Sequence, residues 1–447
     1  MKWGNLQVII DRVLERINDV DVVKRYGRVN RSVGLLIESK GPETNIGEVC
    51  YIYTDRQKKT FVKAEVVGFQ DQHVLLMPYE QTNMIGPDSL VESTNHSLTV
   101  KVGKDLIGRV LDGLGEPIDE QKLSTNLQSF DIVRRPPNPL SRPPIDQAVS
   151  TGIKAIDNCV TVGRGQRIGI FAGSGVGKST LLGMLAKNSD AEINVFALLG
   201  ERGREVREFI EHELGEEGLK RSIIIVATSD QPALQRIKGA YTATAISEYF
   251  RDEGYHVNLM MDSLTRIAMA QRELGLASGE PPTTKGYTPS VFALLPQLLE
   301  RTGPGEKGSI TAFYTVLVDG DDLDEPISDA VRGLLDGHLV LDRQLAEQGQ
   351  YPAINVMKSV SRLMQKIVSQ EHLQLSHRLR SLLSTYEENK ELIQIGAYKK
   401  GSSSQVDEAI YYYPKIMQFL AQSMNKSITA EESFIQLKKI FQSGDQS

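Results

Sequence analysis

The 447-residue sequence has only two cysteines, Cys50 and Cys159, which lie far apart in apolar surroundings. This excludes a disulfide framework or a zinc site, and buried free thiols are expected. The sequence also lacks an apolar run long enough to span a bilayer. Near the N-terminus, Asp11 and Arg12 directly follow a short apolar patch without a small-residue cleavage site, unlike a secretory signal. We therefore expect a cytoplasmic protein.

A large excess of one charge is lacking as well. The chain has 51 Lys and Arg against 57 Asp and Glu, a formal net charge of -6. This balance argues against a protein built around non-specific nucleic-acid binding, although a local basic channel is still compatible with it. What the chain does have is 40% hydrophobic residues, enough to build cores. At roughly 150 residues per domain, its length predicts about three domains.

Apolar residues recur at helical spacing near the N-terminus, with charged residues on the other side. This periodicity predicts a short amphipathic helix within residues 1–22. The helix either packs on the protein's own surface or docks a partner. Because its polar face carries both charge signs, membrane attachment is the least favoured role. The apolar positions are Leu6, Ile9, Ile10, Val13, Leu14 and Ile17.

Residues 23–98 have the pattern of a small all-β domain. From about Tyr26 to Thr99, short stretches rich in β-branched or aromatic residues are broken by Gly, Pro, Asn and Asp. Several short strands at this spacing predict a small β-barrel. A sandwich is nearly as compatible with the pattern.

Residues 99–372 form a predicted α/β domain. From Gly152 to about Arg362, near-continuous apolar strands such as INVFALLG and VNLMMD alternate with helical segments. This alternation is typical of a parallel sheet covered on both faces. The proline-rich stretch 135–144 cannot be regular helix or central strand. We expect it to be an extended connector that lies against this domain.

Residues 373–447 are predicted to form an all-helical C-terminal domain, because strand signals end near Arg362. A GSSS run at residues 401–404 separates two helical pieces. Thr429 and Glu432 have the spacing of a capping box ahead of an apolar run.

The most informative motif is a glycine-rich turn between an apolar strand and a helix. Its glycines let backbone N–H groups converge on phosphate oxygens, and the helix dipole favours the same anion. Lys178 would neutralise the β- and γ-phosphates, and the Ser179 hydroxyl would ligate Mg²⁺. Ala172 replaces the usual first glycine, at a position that closes the strand. The motif predicts a nucleoside triphosphate site made of Gly173, Ser174, Gly175, Val176, Gly177, Lys178, Ser179 and Thr180.

Hydrolysis also needs carboxylates, and two candidates follow apolar strands. Asp262 closes the strand VNLMMD, which suits an acid that holds the Mg²⁺ shell, although it could merely cap the next helix. Glu201 follows the strand INVFALL, at the edge where parallel sheets present ligands. It is our candidate for orienting the attacking water, and Arg202 for contacting phosphate. A solvated charge run, continuing through Glu205 and Glu208, is the alternative.

Longer segments carry a more specific signal than the P-loop. They resemble the motor ATPase family of flagellar type III protein export, itself similar to the catalytic subunit of rotary ATP synthases. The resemblance runs from about Tyr26 to the C-terminal helices and implies a RecA-like P-loop core. The AGSGVGKST loop resembles the flagellar branch more than the virulence injectisome branch. The segments are GERGREVREF, TSDQPA, MMDSLTR, GEPPTTKGYTPSVF, LVDGDDLDEP, VRGLLDGHLVLDR and YPAINVMKSVSR.

The resemblance implies that the chain hydrolyses ATP with Mg²⁺. It makes Glu201 the catalytic carboxylate and Asp262 the Walker B acid. It places Lys178 and Ser179 on phosphate and metal. The remaining positions that it adds to the phosphate pocket are Arg202 and Arg266.

Two more roles come from the resemblance alone. Tyr351, in the YPAIN segment, would stack on the adenine ring, a contact that needs a flat aromatic side chain. Arg362, at the end of SVSR, matches an arginine finger that one subunit inserts into its neighbour's site. Taken without the resemblance, Tyr351 fits a core tyrosine and Arg362 an ordinary helix-surface arginine.

An arginine finger on the same chain as the P-loop lets identical copies complete one another in a closed ring. The resemblance implies a homohexamer whose N-terminal helix docks a stalk or regulator protein. A coiled-coil protein would sit in the ring centre, and the export gate, export substrates and their chaperones would be further partners. The chain would associate with the cytoplasmic face of the inner membrane only through such partners, and no nucleic acid is expected.

Three other functions stay open at the level of sequence. A catalytic subunit of a rotary ATP synthase would share the chemistry but need a non-catalytic partner chain. A hexameric RNA translocase would need basic and aromatic residues clustered on the barrel, whereas in this sequence acidic residues are interspersed among the basic ones there. A protein that binds ATP only as a switch would have no use for Glu201, Asp262 and Arg362.

Overall fold

The computed structural model describes residues 25–442 except 56, 82–83, 319–321, 323 and 425. The amphipathic helix predicted within residues 1–22 lies outside the described residues. The chain divides after Leu98 into two compact units, Met1–Leu98 and Thr99–Ser447. The further boundaries at residues 22 and 372 stay predictions.

The first unit contains a closed antiparallel β-barrel with the strand order β1-β2-β5-β4-β3-β6, in which β6 pairs back onto β1. Side chains that alternate along the strands fill its interior, among them the free thiol of Cys50. The barrel prediction is confirmed and the sandwich alternative is wrong. The strands are β1 (Tyr26–Val33), β2 (Leu36–Lys40), β3 (Glu48–Tyr53), β4 (Phe61–Gln70), β5 (His73–Pro78) and β6 (Leu90–Ser97).

The second unit is built on a nine-stranded sheet with the order β17-β16-β10-β15-β13-β11-β12-β8 and β14 paired beside β15. All pairings are parallel except those of β14 and β17. A separate antiparallel pair joins β7 to β9. The strands are β7 (Thr99–Val102), β8 (Val110–Asp112), β9 (Gln128–Asp131), β10 (Arg167–Ala172), β11 (Ile193–Leu199), β12 (Ser222–Ala227), β13 (His256–Asp262), β14 (Gly303–Pro304), β15 (Ser309–Leu317), β16 (Gly337–Val340) and β17 (Val360–Ser361).

Helices follow most strands of this sheet. A π-helical turn at Phe209–Leu214 joins α3 to α4. The helices are α1 (Lys154–Cys159), α2 (Lys178–Asn188), α3 (Gly203–Glu208), α4 (Gly215–Leu219), α5 (Ala233–Asp252), α6 (Leu264–Ala277), α7 (Pro289–Leu299), α8 (Pro326–Leu334), α9 (Arg343–Glu347), α10 (Met364–Ile367), α11 (Gln370–Gln394), α12 (Ser404–Leu420) and α13 (Ala430–Gln442).

The central strands are buried along their whole length, which explains why their sequences are largely apolar. Phe171, Phe196 and Phe313 are among the largest fully buried side chains. Such a sheet exposes only its ends, so polar residues placed after the last strand positions collect at one edge. This arrangement positions the candidate site.

The proline-rich connector is part of the second unit and lies against the residues that follow α7. The guanidinium of Arg142 donates hydrogen bonds to the carbonyl oxygens of Thr302 (2.8 Å) and Glu300. One detail differs from the expected extended chain: Pro139–Ser141 forms a 3₁₀ turn. The Asn138 side chain accepts a hydrogen bond from the backbone N–H of Leu140, and this local contact closes the turn.

The C-terminal region of the chain is helical. The predicted capping box is confirmed: the Thr429 N–H donates to the Glu432 carboxylate at 3.1 Å, and the Glu432 N–H donates to the Thr429 hydroxyl at 3.2 Å. The capped helix, α13, packs against α1, which lies ahead of the glycine-rich loop. No helix in the described part of the chain is long and apolar enough to cross a membrane.

Candidate active site

Strand ends meet at the carboxyl edge of the main sheet. β10 ends at Ala172 and runs into the glycine-rich loop, β11 ends at Leu199, and β13 ends at Asp262. These strands lie close together in the order β10-β15-β13-β11, so their ends open onto one cleft of about 750 Å³. Ligands of α/β proteins bind at this edge of the sheet.

Most of the sequence-predicted site residues line this cleft together. Val176 does not, because its side chain is buried in the hydrophobic core. Tyr351 and Arg362 are also outside the set of described residues that line it. The predicted residues that line it are Gly173, Ser174, Gly175, Gly177, Lys178, Ser179, Thr180, Glu201, Arg202, Asp262 and Arg266.

The glycine-rich loop needs glycine at two positions for its backbone shape. Gly175 has φ of 78° and Gly177 has φ of 94°, both in the left-handed region that other residues avoid. Gly177 is the N-cap of α2, so the first N–H groups of that helix point into the cleft. Together with the helix dipole, these groups form an anion-binding end.

Lys178 stands between two carboxylates from neighbouring strand ends. Its Nζ lies 2.6 Å from Oδ1 of Asp262 and 3.4 Å from Oε1 of Glu201. Burial disfavours the charge of Lys178, but the attraction of both carboxylates outweighs it and raises the pKa of the lysine. Thr315 on β15 donates from its hydroxyl to Oδ1 of Asp262 at 2.7 Å. Lys178 is therefore a fixed positive charge, and the Asp262 carboxylate is held in place.

Glu201 is a carboxylate of the cleft with a raised pKa. Its burial raises its pKa, Asp262 and a hydrogen bond with Glu205 raise it further, and Lys178 opposes the shift. The shared hydrogen bond lowers the pKa of Glu205 in turn. The carbonyl of Glu201 accepts a hydrogen bond from the Ser229 N–H at 3.0 Å, which fixes the backbone. A raised pKa at a fixed position suits a group that polarises water.

Gly200 lets the Glu201 loop approach α6 closely. It has φ of 74°, and a Cβ there would lie 2.9 Å from the Cβ of Arg266. Arg266 follows the N-cap Ser263 of that helix and lines the cleft. Among the residues that the structure describes, none accepts a hydrogen bond from its buried Nε–H. A buried guanidinium donor with spare capacity fits an anionic ligand such as phosphate.

Arg202 is much more exposed than Arg266. Its side chain is 79% exposed and lies 3.7 Å from Glu205. It is the N-cap residue of α3 and lines the rim of the cleft. The structure thus brings both predicted phosphate arginines to the cleft, one buried and one at the surface.

The far wall of the cleft was missed by the sequence reasoning. The Thr180 hydroxyl donates to the Glu213 carboxylate at 3.0 Å, so the π-helical turn is tied to the P-loop helix. The only sequence signal for this wall was the helical spacing of acidic residues after Glu201, and a solvent-exposed helix face has the same pattern. Single extra residues in π-turns commonly mark functional sites. The lining residues of this wall are Glu205, Val206, Glu208, Phe209, His212 and Glu213.

Tyr351 lies beside the last glycine of the loop. A Cβ on Gly177 would be 3.5 Å from Cε1 of the Tyr351 ring. The tyrosine is 42% exposed, so it is not a core residue, and it does not line the cleft. Its ring is available to a flat ligand group next to the phosphate loop.

Arg362 lies at the other end of the sheet. It follows β17, whose Ser361 pairs with Gly337, the first residue of β16. Gly337 is level with Ile168, near the start of β10, whereas the phosphate loop begins after Ala172. At about 3.3 Å per residue, four residues separate the two levels by roughly 13 Å. Arg362 is exposed and donates to the Arg332 carbonyl at 3.3 Å.

A phosphate loop at the carboxyl edge of a parallel sheet, with acids on the neighbouring strand ends, defines a P-loop nucleoside triphosphatase. Family comparisons agree with this class across most of the chain. Residues 29–95 match the β-barrel domain and residues 152–361 the nucleotide-binding domain of the ATP synthase alpha/beta family. Residues 368–439 match the C-terminal domain of the type III secretion ATPase EscN.

Individual relatives narrow the class. The chain is 60% identical to the flagellum-specific ATP synthase of Bacillus subtilis, over 96% of this chain and 98% of the relative. It is 48% identical to a type 3 secretion system ATPase of Xanthomonas euvesicatoria, over 96% and 97%. The chain belongs to the flagellum-specific ATPases of type III protein export, and it is an ATP-binding, ATP-hydrolysing motor enzyme.

Solved structures agree with this fold. The assembled ATPase EscN of enteropathogenic Escherichia coli superposes with a TM-score of 0.87 at 44% identity, covering 93% of this chain and 99% of that chain. The same ATPase in complex with its central stalk EscO gives a TM-score of 0.86 at 43% identity, with the same coverage.

Proposed function

We propose that the cleft binds ATP with Mg²⁺ and that Glu201 orients and polarises the attacking water. Lys178 neutralises phosphate charge, while Ser179 and Asp262 supply oxygen donors of the kind that Mg²⁺ prefers. When bound, Mg²⁺ neutralises charge on the phosphates. The buried Nε–H of Arg266 supports this assignment, because it offers a donor to phosphate. The backbone N–H groups of residues 173–180 hold the phosphates, and Tyr351 stacks on adenine.

The catalytic site is proposed to lie between subunits. The observation that carries this is the position of Arg362, roughly 13 Å along the sheet from the level of its own P-loop. An arginine finger at that place can serve only the site of a neighbouring copy. Since each chain holds one P-loop and one finger, identical copies complete one another in a closed ring, here a homohexamer. Arginine fingers of this type increase kcat by a factor of about 10³–10⁵.

The ring is proposed to act at the flagellar export apparatus. Support comes from the relatives: one is named flagellum-specific, and EscN is solved in complex with a central stalk. By this analogy, the N-terminal segment docks a stalk or regulator and a coiled-coil protein sits in the ring centre. Export gate, substrates and chaperones are the other partners, and the ring is held at the cytoplasmic face of the inner membrane through them.

A subunit-mixing experiment tests the shared site. Lys178→Ala chains lack a working P-loop but keep the finger, and Arg362→Ala chains have the converse defect. Each variant alone is expected to be almost inactive. A mixture of equal amounts restores up to about a quarter of the wild-type rate, because random assembly completes about one interface in four. Steady-state ATP hydrolysis gives the rate, and mass photometry reports assembly in the same samples.

The matched control mixes Lys178→Ala with Glu201→Gln. Both defects lie in the same half of the site, so this mixture is expected to stay inactive although it assembles equally well. Recovery in the control, or no recovery in the first mixture when both form mixed rings, would contradict a site completed in trans. Full activity of Arg362→Ala alone would show that Arg362 is not the finger.

A further inference from the structure

Gln422 is a buried glutamine whose side-chain oxygen and nitrogen both form hydrogen bonds. It follows α12 and is 6% exposed. Its side-chain Oε1 accepts a hydrogen bond from the Lys154 N–H at 3.0 Å. Its Nε2 donates to the carbonyls of Gly152 at 2.7 Å and Lys426 at 2.8 Å. Its backbone N–H donates to the carbonyl of Tyr351 at 2.8 Å. An amide is needed here, because one side chain must both accept and donate.

The contacts of Gln422 with Gly152 and Lys154 connect it to α2, the helix that follows the phosphate loop. Gly152 packs so closely on the C-terminal residue of α2 that a Cβ would lie 2.4 Å from the Cβ of Asn188. The next residues form α1, which starts at Lys154. The side chain of Gln422 is therefore anchored on a backbone segment that is itself fixed to α2.

The contact at Tyr351 connects Gln422 to the N-terminal end of α2. The Tyr351 ring lies beside Gly177, the N-cap of α2. Gln422 thus contacts the backbone of Gly152, near the C-terminal end of α2, and the backbone of Tyr351, whose ring lies at the N-terminal end of the same helix. The cleft itself contains no atom of Gln422, so any effect on the bound nucleotide must pass through these contacts.

We propose that Gln422 is a positioning residue for adenine binding: it fixes the backbone of Tyr351 relative to the P-loop helix and so sets the place of the aromatic ring. This inference rests on the proposed adenine contact of Tyr351. It also links the C-terminal helices to nucleotide affinity, because Gln422 lies in the region that matches the EscN C-terminal domain. Glu201 and Asp262 lie at strand ends, which Gln422 does not contact.

The test uses Gln422→Met, which keeps the volume of the side chain and removes its hydrogen bonds, together with Gln422→Ala. Assembled enzyme is expected to show a KM for ATP raised about three- to tenfold, the effect of roughly one lost hydrogen bond, with kcat little changed. Inhibition by tripolyphosphate, which has no base, is expected to keep its wild-type constant. A general disturbance of the site would move both values.

Two further variants make the outcome decisive. In a Tyr351→Ala background, Gln422→Met is expected to have no further effect on KM. Asn158→Ala is the matched control, since its buried amide joins the Lys154 carbonyl to Ser433 of α13 without contacting Tyr351. It is expected to lower the melting temperature and to leave KM unchanged.

The possible failures can be told apart. If Tyr351→Ala raises KM but Gln422→Met raises it equally in both backgrounds, the positioning role of Gln422 is wrong and the adenine contact stands. If Asn158→Ala raises KM as much as Gln422→Met does, Gln422 has only a structural role. The same conclusion follows if Gln422→Met raises the inhibition constant of tripolyphosphate by the same factor as KM. If Tyr351→Ala leaves KM unchanged, the adenine contact is wrong, and the inference falls with it.

Discussion

Replacing Gly200 by alanine tests whether the Glu201 loop is placed by its close contact with α6. Gly200 has φ of 74°, and the added Cβ would lie 2.9, 3.1 and 3.3 Å from the Cβ, Cγ and Cδ atoms of Arg266. These atoms are the base of the arginine side chain, so rotation of its far end does not relieve the contact. Either the loop or the helix must move.

The size of the effect follows from these distances. Carbon atoms pack at about 3.5–4.0 Å, so the shortest contact must open by roughly 0.6 Å. A displacement of about 1 Å in an active site can lower the rate about 10²-fold, so Gly200→Ala is expected to lower kcat about tenfold. A left-handed alanine adds a stability loss of about 1–2 kcal/mol.

Gly396→Ala separates the two contributions. Gly396 has nearly the same φ, 72°, and no heavy atom lies within 4 Å of a Cβ placed there. It is expected to lose similar backbone stability and to keep its activity. The assay is steady-state ATP hydrolysis at saturating ATP on assembled enzyme, with thermal unfolding in parallel. Wild-type kcat in Gly200→Ala, or an equal loss in Gly396→Ala, would refute the reasoning.

Three other perturbations have defined outcomes. Arg301→Ala removes the partner that lies 2.7 Å from the Glu248 carboxylate, where both side chains are 1% exposed, and leaves, among the described residues, only Arg134 at 3.8 Å. Denaturant titration is therefore expected to show a loss of about 3 kcal/mol in the free energy of unfolding, and a loss below about 1 kcal/mol would contradict this. Burial and the Glu205 hydrogen bond raise the pKa of Glu201. Since the carboxylate form is the one proposed to polarise water, activity is expected to fall as the pH drops through that pKa. Glu205→Gln removes one raising contribution, and the acidic limb of the pH profile of kcat/KM is expected to move to lower pH; an unchanged or higher limb would contradict this. Burial raises the pKa of Cys159 to about 12, so thiol reagents are expected to label it only after unfolding, and rapid labelling of the native protein would be inconsistent with the structure.

Features that depend on local pattern were predictable from the sequence. The barrel strands tend to alternate apolar and polar residues, whereas the central strands of the large sheet are largely apolar. The period and length of these patterns therefore predict the fold class. The capping box at Thr429 and Glu432 depends on a spacing of three residues, and it forms as expected. The phosphate loop is likewise a contiguous motif, and it gathers with Glu201 and Asp262 because parallel strands end at one edge.

Features that depend on distant partners were not predictable. Gln422 and Lys154 are 268 residues apart, and no sequence pattern near either residue indicates that they form a hydrogen bond. Thr315 holds Asp262 only because β15 and β13 are neighbours in the sheet, an order that apolar patterns do not encode. The acids after Glu201 were ambiguous for the same reason, since one face of a short helix can meet solvent or a cleft.

The placement of Lys178 and Arg362 at opposite ends of one sheet has a genetic consequence in the proposed ring. A chain defective at both residues inactivates two ATPase sites: the one that contains its own P-loop, and the neighbouring one that needs its Arg362. The working sites then fall with the square of the fraction of good chains. A cell that makes equal amounts of normal and doubly defective protein keeps about a quarter of its sites and not half, so such alleles are expected to be partly dominant.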